Sequence, residues 1–397
     1  MMETSMINEK KKVLFVNNNL VAGGVQRSLV NLIHQIKDEY EITLFVFNCS
    51  GDYAKLIPPE VKVIEASPFL KLLGMSQAQT KKMGIIFYVA RAACALYTKI
   101  FSNHFPLSFL VSTQKKLSGF DVAISFLHNE NEKILYGGCN EFVLKRVKAK
   151  QRITFIHCDI LNNGTNTARN RSIYKYFDKI AAVSEGCRRN FIKAVPELEE
   201  KTYCVYNCHN FSEYYDKSII NPIEYPLDCL NIVTVARLSP EKGIIRGISI
   251  IKRLIKENYR IRWHIIGGGP QRSEIEKEIL NNNLSEHIIL YGNQENPYRY
   301  IKNADVFLLP SIHEAAPMVF EEAKFLGVPI ITTNTISARE MIREGKEGIV
   351  SGNNEEELYN SLRRVVDQPA ILQKYKEYLR IQNFSNETAI KQFSNLI

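Results

Sequence analysis

Short apolar runs bounded by turn residues alternate with helical patterns along most of this chain, and the alternation restarts at Asn231. The first series places strands at Val13–Val16, Ile42–Phe47, Val61–Ile64, Asp121–Phe126, Arg152–His157, Ile180–Val183 and Tyr203–Tyr206. The second places them at Asn231–Ala236, Arg262–Ile266, Ile288–Tyr291, Val306–Leu309, Pro329–Thr332 and Gly348–Val350. Strands interleaved with helices in this way predict an α/β fold with parallel sheets covered on both faces. A chain of 397 residues exceeds what one core fills comfortably, so two such domains are expected. Between the series, the stretch after Asn207-Cys208-His209-Asn210 turns polar, carries Pro222 and Pro226 and loses periodicity, which reads as a linker.

The densest chemistry lies in ADVFLLPSIHEAAPMVFEEAKFLG, Ala304 to Gly327. It reads as strand, loop and helix, with Pro317 opening the helix and Val319, Ala323 and Leu326 on one face. Glu314 sits in the loop and Glu322 in the helix, an E-x7-E pair beyond the carboxyl end of a strand, where open α/β sheets bind small molecules. Backbone N–H groups around Pro317, those of Ala316 and Met318, lie at the helix start and suit an anion. Carboxylates for hydroxyl groups beside an anion-binding backbone describe a nucleotide-sugar site.

Other loops add to this edge. After Asn231–Ala236 comes RLSPEKG, whose Arg237 and Lys242 place two cations where a bound diphosphate needs neutralising. IIGGGP follows the next strand and offers a close-approach turn centred on Gly268. Near the amino end, Gly23-Gly24 joins the first strand to a helix. This is no dinucleotide fingerprint: the third glycine is missing and Asn48-Cys49-Ser50 supplies no acid for a ribose, which disfavours a dehydrogenase. His157 and Asp159 follow the Ile153–Ile156 run, with Asn162-Asn163-Gly164 behind them.

Composition narrows the class. The start MMETSMINEKKKVLFV has no apolar leader core, so a cytoplasmic protein is expected. The eight cysteines lack disulfide or paired C-x2-C spacing, and Cys204, Cys208 and His209 match no common zinc site. No Asp-x-Asp occurs, so no metal is expected. From Ala66 to Ser118 there are seven Lys or Arg and no Asp or Glu, interleaved with aromatic and aliphatic residues. That pattern suits an interfacial segment better than a nucleic-acid module, and Arg91 and Lys99 argue against a membrane span.

Taken in order, GGVQR, IHCD, AVSEG, VYNCHN, VARLSPEKG, IIGGGP, GNQENPY and SIHEAAPMVFEEAKFLGVPIITT resemble a family 4 glycosyltransferase, of the kind that builds bacterial capsular, cell-wall or lipopolysaccharide glycans. The resemblance covers most of the chain. It implies two Rossmann-like domains (GT-B) with a cleft between them: 1–208 for the acceptor, 209–375 for the nucleotide sugar, and a C-terminal helix, 376–397, packing back across both. It implies transfer from a nucleotide sugar, with UDP the commonest donor base, to a glycan or lipid-linked acceptor, with retention of configuration and without metal or other cofactor. By it, Glu314 contacts donor-sugar hydroxyls, Glu322 the ribose diol, Arg237 and Lys242 the diphosphate, and Gly23-Gly24 the phosphate from the opposite domain. His157 or Asp159 holds the position near the reacting sugar, with the choice between them open. Ala315 and Cys208 replace glycines found in many members, removing no needed charge or donor. A nucleotide-sugar epimerase of the same fold and a silent sugar-nucleotide-binding subunit are the alternatives. A peripheral contact with anionic membrane, on the inner face of the plasma membrane, stays open, and nucleic acid is not expected.

Overall fold

The computed structural model describes residues 9–397. Met1–Asn8, part of the start on which the expectation about a leader rests, therefore lie outside the described residues. The chain divides into two compact units, one of residues up to Cys208 together with Asn386–Ile397, the other His209–Ser385.

The first unit holds β1 (Lys12–Asn19), β2 (Glu41–Asn48), β3 (Lys62–Glu65), β4 (Leu117–Ser125), β5 (Val147–Ile156), β6 (Lys179–Ala182) and β7 (Thr202–Cys204). They form one parallel sheet in the order β3-β2-β1-β4-β5-β6-β7. The second unit holds β8 (Leu230–Val235), β9 (Ile261–Ile266), β10 (Ile288–Gly292), β11 (Val306–Leu309), β12 (Ile330–Thr333) and β13 (Gly348–Ser351). Their parallel order is β10-β9-β8-β11-β12-β13. Helices cover both faces, so the first half of β1 is a continuous buried apolar run: Val13, Leu14, Phe15 and Val16 are all 0% exposed.

Each sheet reverses its winding once, between β1 and β4 and between β8 and β11. At such a switch point two loops leave the carboxyl edge in opposite directions and open a crevice. In the second unit the buried Trp263 fixes this point by donating from Nε1 to Thr234 Oγ1 at 2.8 Å, while Thr234 Oγ1 donates to the Leu308 carbonyl. Strands β8, β9 and β11 are thereby tied together inside the core.

Two stretches differ from the sequence reading. The linker stretch contains a helix, Phe211–Ser218, whose Asn210 side chain caps the Glu213 N–H and whose Tyr214 is buried. Its few apolar residues gave no periodicity, yet capping and one aromatic anchor suffice for two turns. The final helical pattern is also interrupted. Helix Ala370–Arg380 stays in the second unit, and after a break helix Glu387–Leu396 belongs to the first.

That last helix is held by Phe393, fully buried and stacked on Phe15 at 6.1 Å. Gln392 Oε1 also accepts from the Tyr206 N–H at 2.9 Å. Phe393→Ala is expected to destabilise the first unit by ~3–5 kcal/mol, as other deeply buried aromatic truncations do. Urea denaturation followed by circular dichroism checks this; a loss under about 1 kcal/mol would mean the helix contributes little to that core.

Candidate functional site

In the second unit the switch point joins the loop after β8 to the loop after β11. Lys242 ends the single turn Pro240–Lys242 of the first loop, and Glu314 lies in the second. Lys242 Nζ meets Glu314 Oε1 at 2.6 Å, and Ser311 Oγ donates to the same oxygen at 2.6 Å. Glu314 is 9% exposed, so this is a nearly buried carboxylate with its charge matched on one side. Among the described residues Oε2 accepts from no protein donor and is available to a ligand hydroxyl.

The loop is held from below. Arg246, on the helix Ile244–Lys256, donates to the Pro310 carbonyl at 2.7 Å, the Ser311 carbonyl at 2.6 Å and Asn353 Oδ1 at 2.8 Å. Gly243 introduces that helix at φ 65°, and a Cβ there would stand 2.0 Å from the Pro310 carbonyl oxygen. Only glycine allows this approach. The Ile312 N–H also donates to the Glu241 carbonyl at 2.7 Å, stitching the two loops directly.

Arg237 differs from Lys242. It is exposed, and among the described residues its guanidinium has no ion pair or hydrogen bond. The two cations expected to act alike are thus one committed to Glu314 and one uncommitted. The Gly267–Gly269 turn has a reason of its own: a Cβ on Gly267 would fall 1.9 Å from the Ala236 carbonyl and one on Gly269 2.3 Å from that of Leu238. These glycines let the loop after β9 press on the loop carrying Arg237, with the Leu238 N–H donating to the Gly268 carbonyl at 2.9 Å. Helix Met318–Phe325 starts at Pro317 without a side-chain cap; the Phe320 N–H donates to the Pro317 carbonyl at 3.2 Å, leaving those of Met318 and Val319 to other acceptors. Met318 and Glu322 are buried at 7% and 6% exposure, while Ala316 lies just outside the helix.

In the first unit, helix Gly24–Ile36 follows β1 with Gly23 at its N-cap and no side-chain cap. Gly23 has φ 179°, extended backbone open to any residue; a Cβ there would lie 2.7 Å from Gln26 Oε1, the end of a flexible side chain that can move aside. Asn19 orients this turn by accepting from the Val21 N–H at 3.1 Å and Gln26 Nε2 at 3.3 Å.

After β5 the structure separates His157 from Asp159. Asp159 is 4% exposed and both its oxygens are taken, by Asn162 at 2.7 Å and Asn190 at 2.8 Å. It fastens the loop to the helix Glu185–Ala194. His157 packs against Phe126 and Phe155 at ring distances of 4.8 and 5.8 Å, and its enclosed Nε2 has no hydrogen-bond partner. Burial first, and then neighbouring His128, push its pKa down to about 3, so the ring is neutral at ordinary pH.

Sequence reasoning missed Ser311 and Arg246, and in the first unit the loop after β4. There Asn129, Asn140 and Asn170 form a buried chain: Asn140 to Asn129 at 2.8 Å, Asn129 to Asn170 at 3.2 Å, and Thr154 to Asn140 at 2.7 Å. The N-E-N run at residues 129–131, beyond a strand, was the available signal. Cys204, Cys208 and His209 form no metal set: none of the eight cysteines is in a disulfide, burial pushes the Cys208 thiol up to about 12, and His209 Nδ1 lies 3.2 Å from Tyr214 OH. Among the described residues no group of three or more His, Cys, Asp or Glu is placed to hold a metal.

Residues 219–382 match the family model described as glycosyl transferases group 1. The chain is 26% identical over 254 residues, 61% of its length and 64% of the relative's, to a protein of the Klebsiella pneumoniae cps region. It is 23% identical over 399 residues, 95% of its length and 91% of the relative's, to the Campylobacter jejuni GalNAc-alpha-(1->4)-GalNAc-alpha-(1->3)-diNAcBac-PP-undecaprenol alpha-1,4-N-acetyl-D-galactosaminyltransferase. The first relatives it matches are covered over only 41 to 64% of their own length. Among solved structures, Anabaena HepE in complex with UDP and glucose superposes with a TM-score of 0.66 at 17% identity, over 97% of this chain and 98% of the other. The fold is therefore GT-B, two Rossmann-like domains in one chain.

Because Lys242 neutralises a nearly buried carboxylate, Lys242→Ala is expected to destabilise the second unit by ~1–3 kcal/mol. Arg237→Ala, an exposed change without a lost partner, is expected to stay within about 0.5 kcal/mol. Urea titrations of both variants without ligand test this; equal stabilities would mean the Lys242–Glu314 contact carries no net energy in solution.

Proposed function

We propose that this chain, whose residues 219–382 belong to the group 1 glycosyl transferases, moves a sugar from a UDP-sugar to a glycan or lipid-linked acceptor in surface polysaccharide assembly. The observation that carries this reading is the switch point between β8 and β11, which gathers Arg237, Lys242 and Glu314 on one edge of the sheet, beside an uncapped helix N-terminus. UDP is supported by the HepE complex, and a lipid-linked glycan acceptor by the name of the Campylobacter relative. Retention of configuration rests on the resemblance of the motifs.

In this reading the bond from the sugar's anomeric carbon to the diphosphate oxygen breaks, the oxygen keeping the electron pair. An acceptor hydroxyl oxygen bonds to that carbon and gives up its proton to the departing diphosphate. Charge growing on the diphosphate is met by Arg237 and by the N–H groups at the start of helix Met318–Phe325, with Gly268 supplying close backbone. Lys242 acts chiefly by holding Glu314, whose Oε2 accepts from a sugar hydroxyl. Glu322 accepts from the ribose diol. The role at the reacting sugar goes to His157, a neutral imidazole with a free nitrogen, and Asp159 keeps a structural one. No metal or other cofactor takes part, and we place the work at the cytoplasmic face of a membrane.

Nucleotide release from UDP-sugar donors in the presence of a lipid-linked acceptor tests the proposal. Turnover is expected to survive excess EDTA, and Arg237→Ala to lower it at least ~100-fold, comparable to removing one preorganised donor at a charge-developing centre. Glu314→Gln is expected to reduce turnover, and Glu322→Gln to weaken nucleotide binding, each by ~1.5–3 kcal/mol for a lost charge-assisted bond. Activity abolished by chelation and restored by magnesium, or untouched by all three substitutions, would contradict this assignment.

A further inference from the structure

The first unit carries an apolar surface that none of its described residues covers. On helix Ile85–Ile100, Ile85, Ile86, Val89, Leu96 and Ile100 are exposed by 73, 70, 55, 61 and 58%. Their spacing puts them along one face. Phe101, Phe105 and Phe109, exposed by 62, 61 and 50%, continue it onto helix His104–Ser112. Tyr97 bridges the two helices, its ring 4.9 Å from Phe101 and 5.6 Å from Phe105, so the surface is contiguous.

The opposite side of the same helix is committed to the fold. Arg91, its one internal charge, turns inward to donate to the Leu72 carbonyl at 3.2 Å and to Gln77 Oε1 at 3.1 Å. Phe87, Ala90, Cys94 and Ala95 pack on the buried cluster of Leu70, Leu72 and Leu73. A helix meeting water would show polar residues on the face that here shows isoleucine and leucine.

Charge identifies the occupant. Lys81 and Lys82 stand before the helix, Lys99 at its end, and Lys115 and Lys116 after the second helix; all five are exposed and none has an ion pair among the described residues. No carboxylate interrupts Ala66 to Ser118. A second copy seated here would set these lysines against one another, whereas an anionic headgroup layer matches them while its acyl region takes the isoleucines and phenylalanines. At ~24 Å for sixteen residues the helix is too short to cross a bilayer. No helix among the described residues is long and apolar enough to do so.

We propose that the first unit docks on an anionic lipid bilayer through this face, helix Ile85–Ile100 lying in the plane of the interface with its apolar residues submerged and the five lysines at headgroup level. Lys133, donating to the Ile100 and Phe101 carbonyls at 3.1 and 2.7 Å, holds Phe101 outward at the helix end. Docking would confine the enzyme to the layer where a lipid-linked acceptor diffuses. That consequence rests on the transferase reading; adsorption itself needs neither donor nor acceptor.

Flotation of the full chain with phosphatidylglycerol–phosphatidylcholine vesicles, beside pure phosphatidylcholine vesicles, tests it. Binding is expected to the anionic vesicles at low salt and to weaken at high salt. Each lysine removed in the series Lys81→Ser, Lys82→Ser and Lys99→Ser is expected to cut partitioning about fivefold, and Ile86→Ser with Leu96→Ser and Phe105→Ser to abolish it. These exposed substitutions leave the fold intact, and transfer to a water-soluble acceptor should match wild type, so failure of docking and failure of the transferase reading are told apart. No binding to anionic vesicles, binding indifferent to both sets of substitutions, or a dimer in sedimentation that the apolar triple substitution disperses would overturn the proposal.

Discussion

Everything assigned to the second unit depends on how one carboxylate is held. Glu314 is nearly buried, and a buried charge is tolerated only when paired and hydrogen-bonded. Lys242 and Ser311 meet that demand at a single oxygen, 2.6 Å each, and leave the other oxygen for a ligand. Arg246, itself half-buried and held to two carbonyls, prevents the loop from drifting toward water to solvate the charge. The arrangement is thus preorganised before any ligand arrives, which is what makes an electrostatic site effective when charge develops in a reaction.

Much of this was legible in the sequence because local signals and global fold agree. Continuous apolar runs marked strands covered on both faces, and Pro317 marked the start of a helix whose preceding loop carries the glutamate. What the sequence could not supply was strand order. That Arg237 and Lys242 lie beside Glu314 follows from β8 pairing with β11, two strands separated by two complete strand–helix units. Nor could periodicity reveal that Lys242 is committed to Glu314 while Arg237 is not, because that depends on a side-chain contact at a separation of 72 positions. Arg246 was invisible for a similar reason: in sequence it is one more basic residue on an amphipathic helix.

The first unit shows the same division. His157 and Asp159, two residues apart, looked equivalent until their surroundings were fixed. Two asparagine amides consume the aspartate, while burial against two phenylalanine rings, and then neighbouring His128, keep the histidine neutral. The polar Asn129–Asn140–Asn170 chain is buried and satisfied, so it rigidifies the segments it joins rather than competing for ligand. The basic, acid-free segment was equally plain in composition, but which of its apolar residues face outward required the helix to be seated, with Arg91 as the unexpected inward-turning member.

The most direct test of the central claim is a thermal-shift panel of UDP, GDP and ADP on the wild-type protein in EDTA. A ligand at ~100 times its dissociation constant stabilises the folded state by about 2.7 kcal/mol. The account predicts a clear rise in melting temperature with UDP, smaller shifts with the other bases, and no dependence on added magnesium. If no nucleoside diphosphate moves the transition at saturating concentration, the Lys242–Glu314 crevice is not a nucleotide-sugar site.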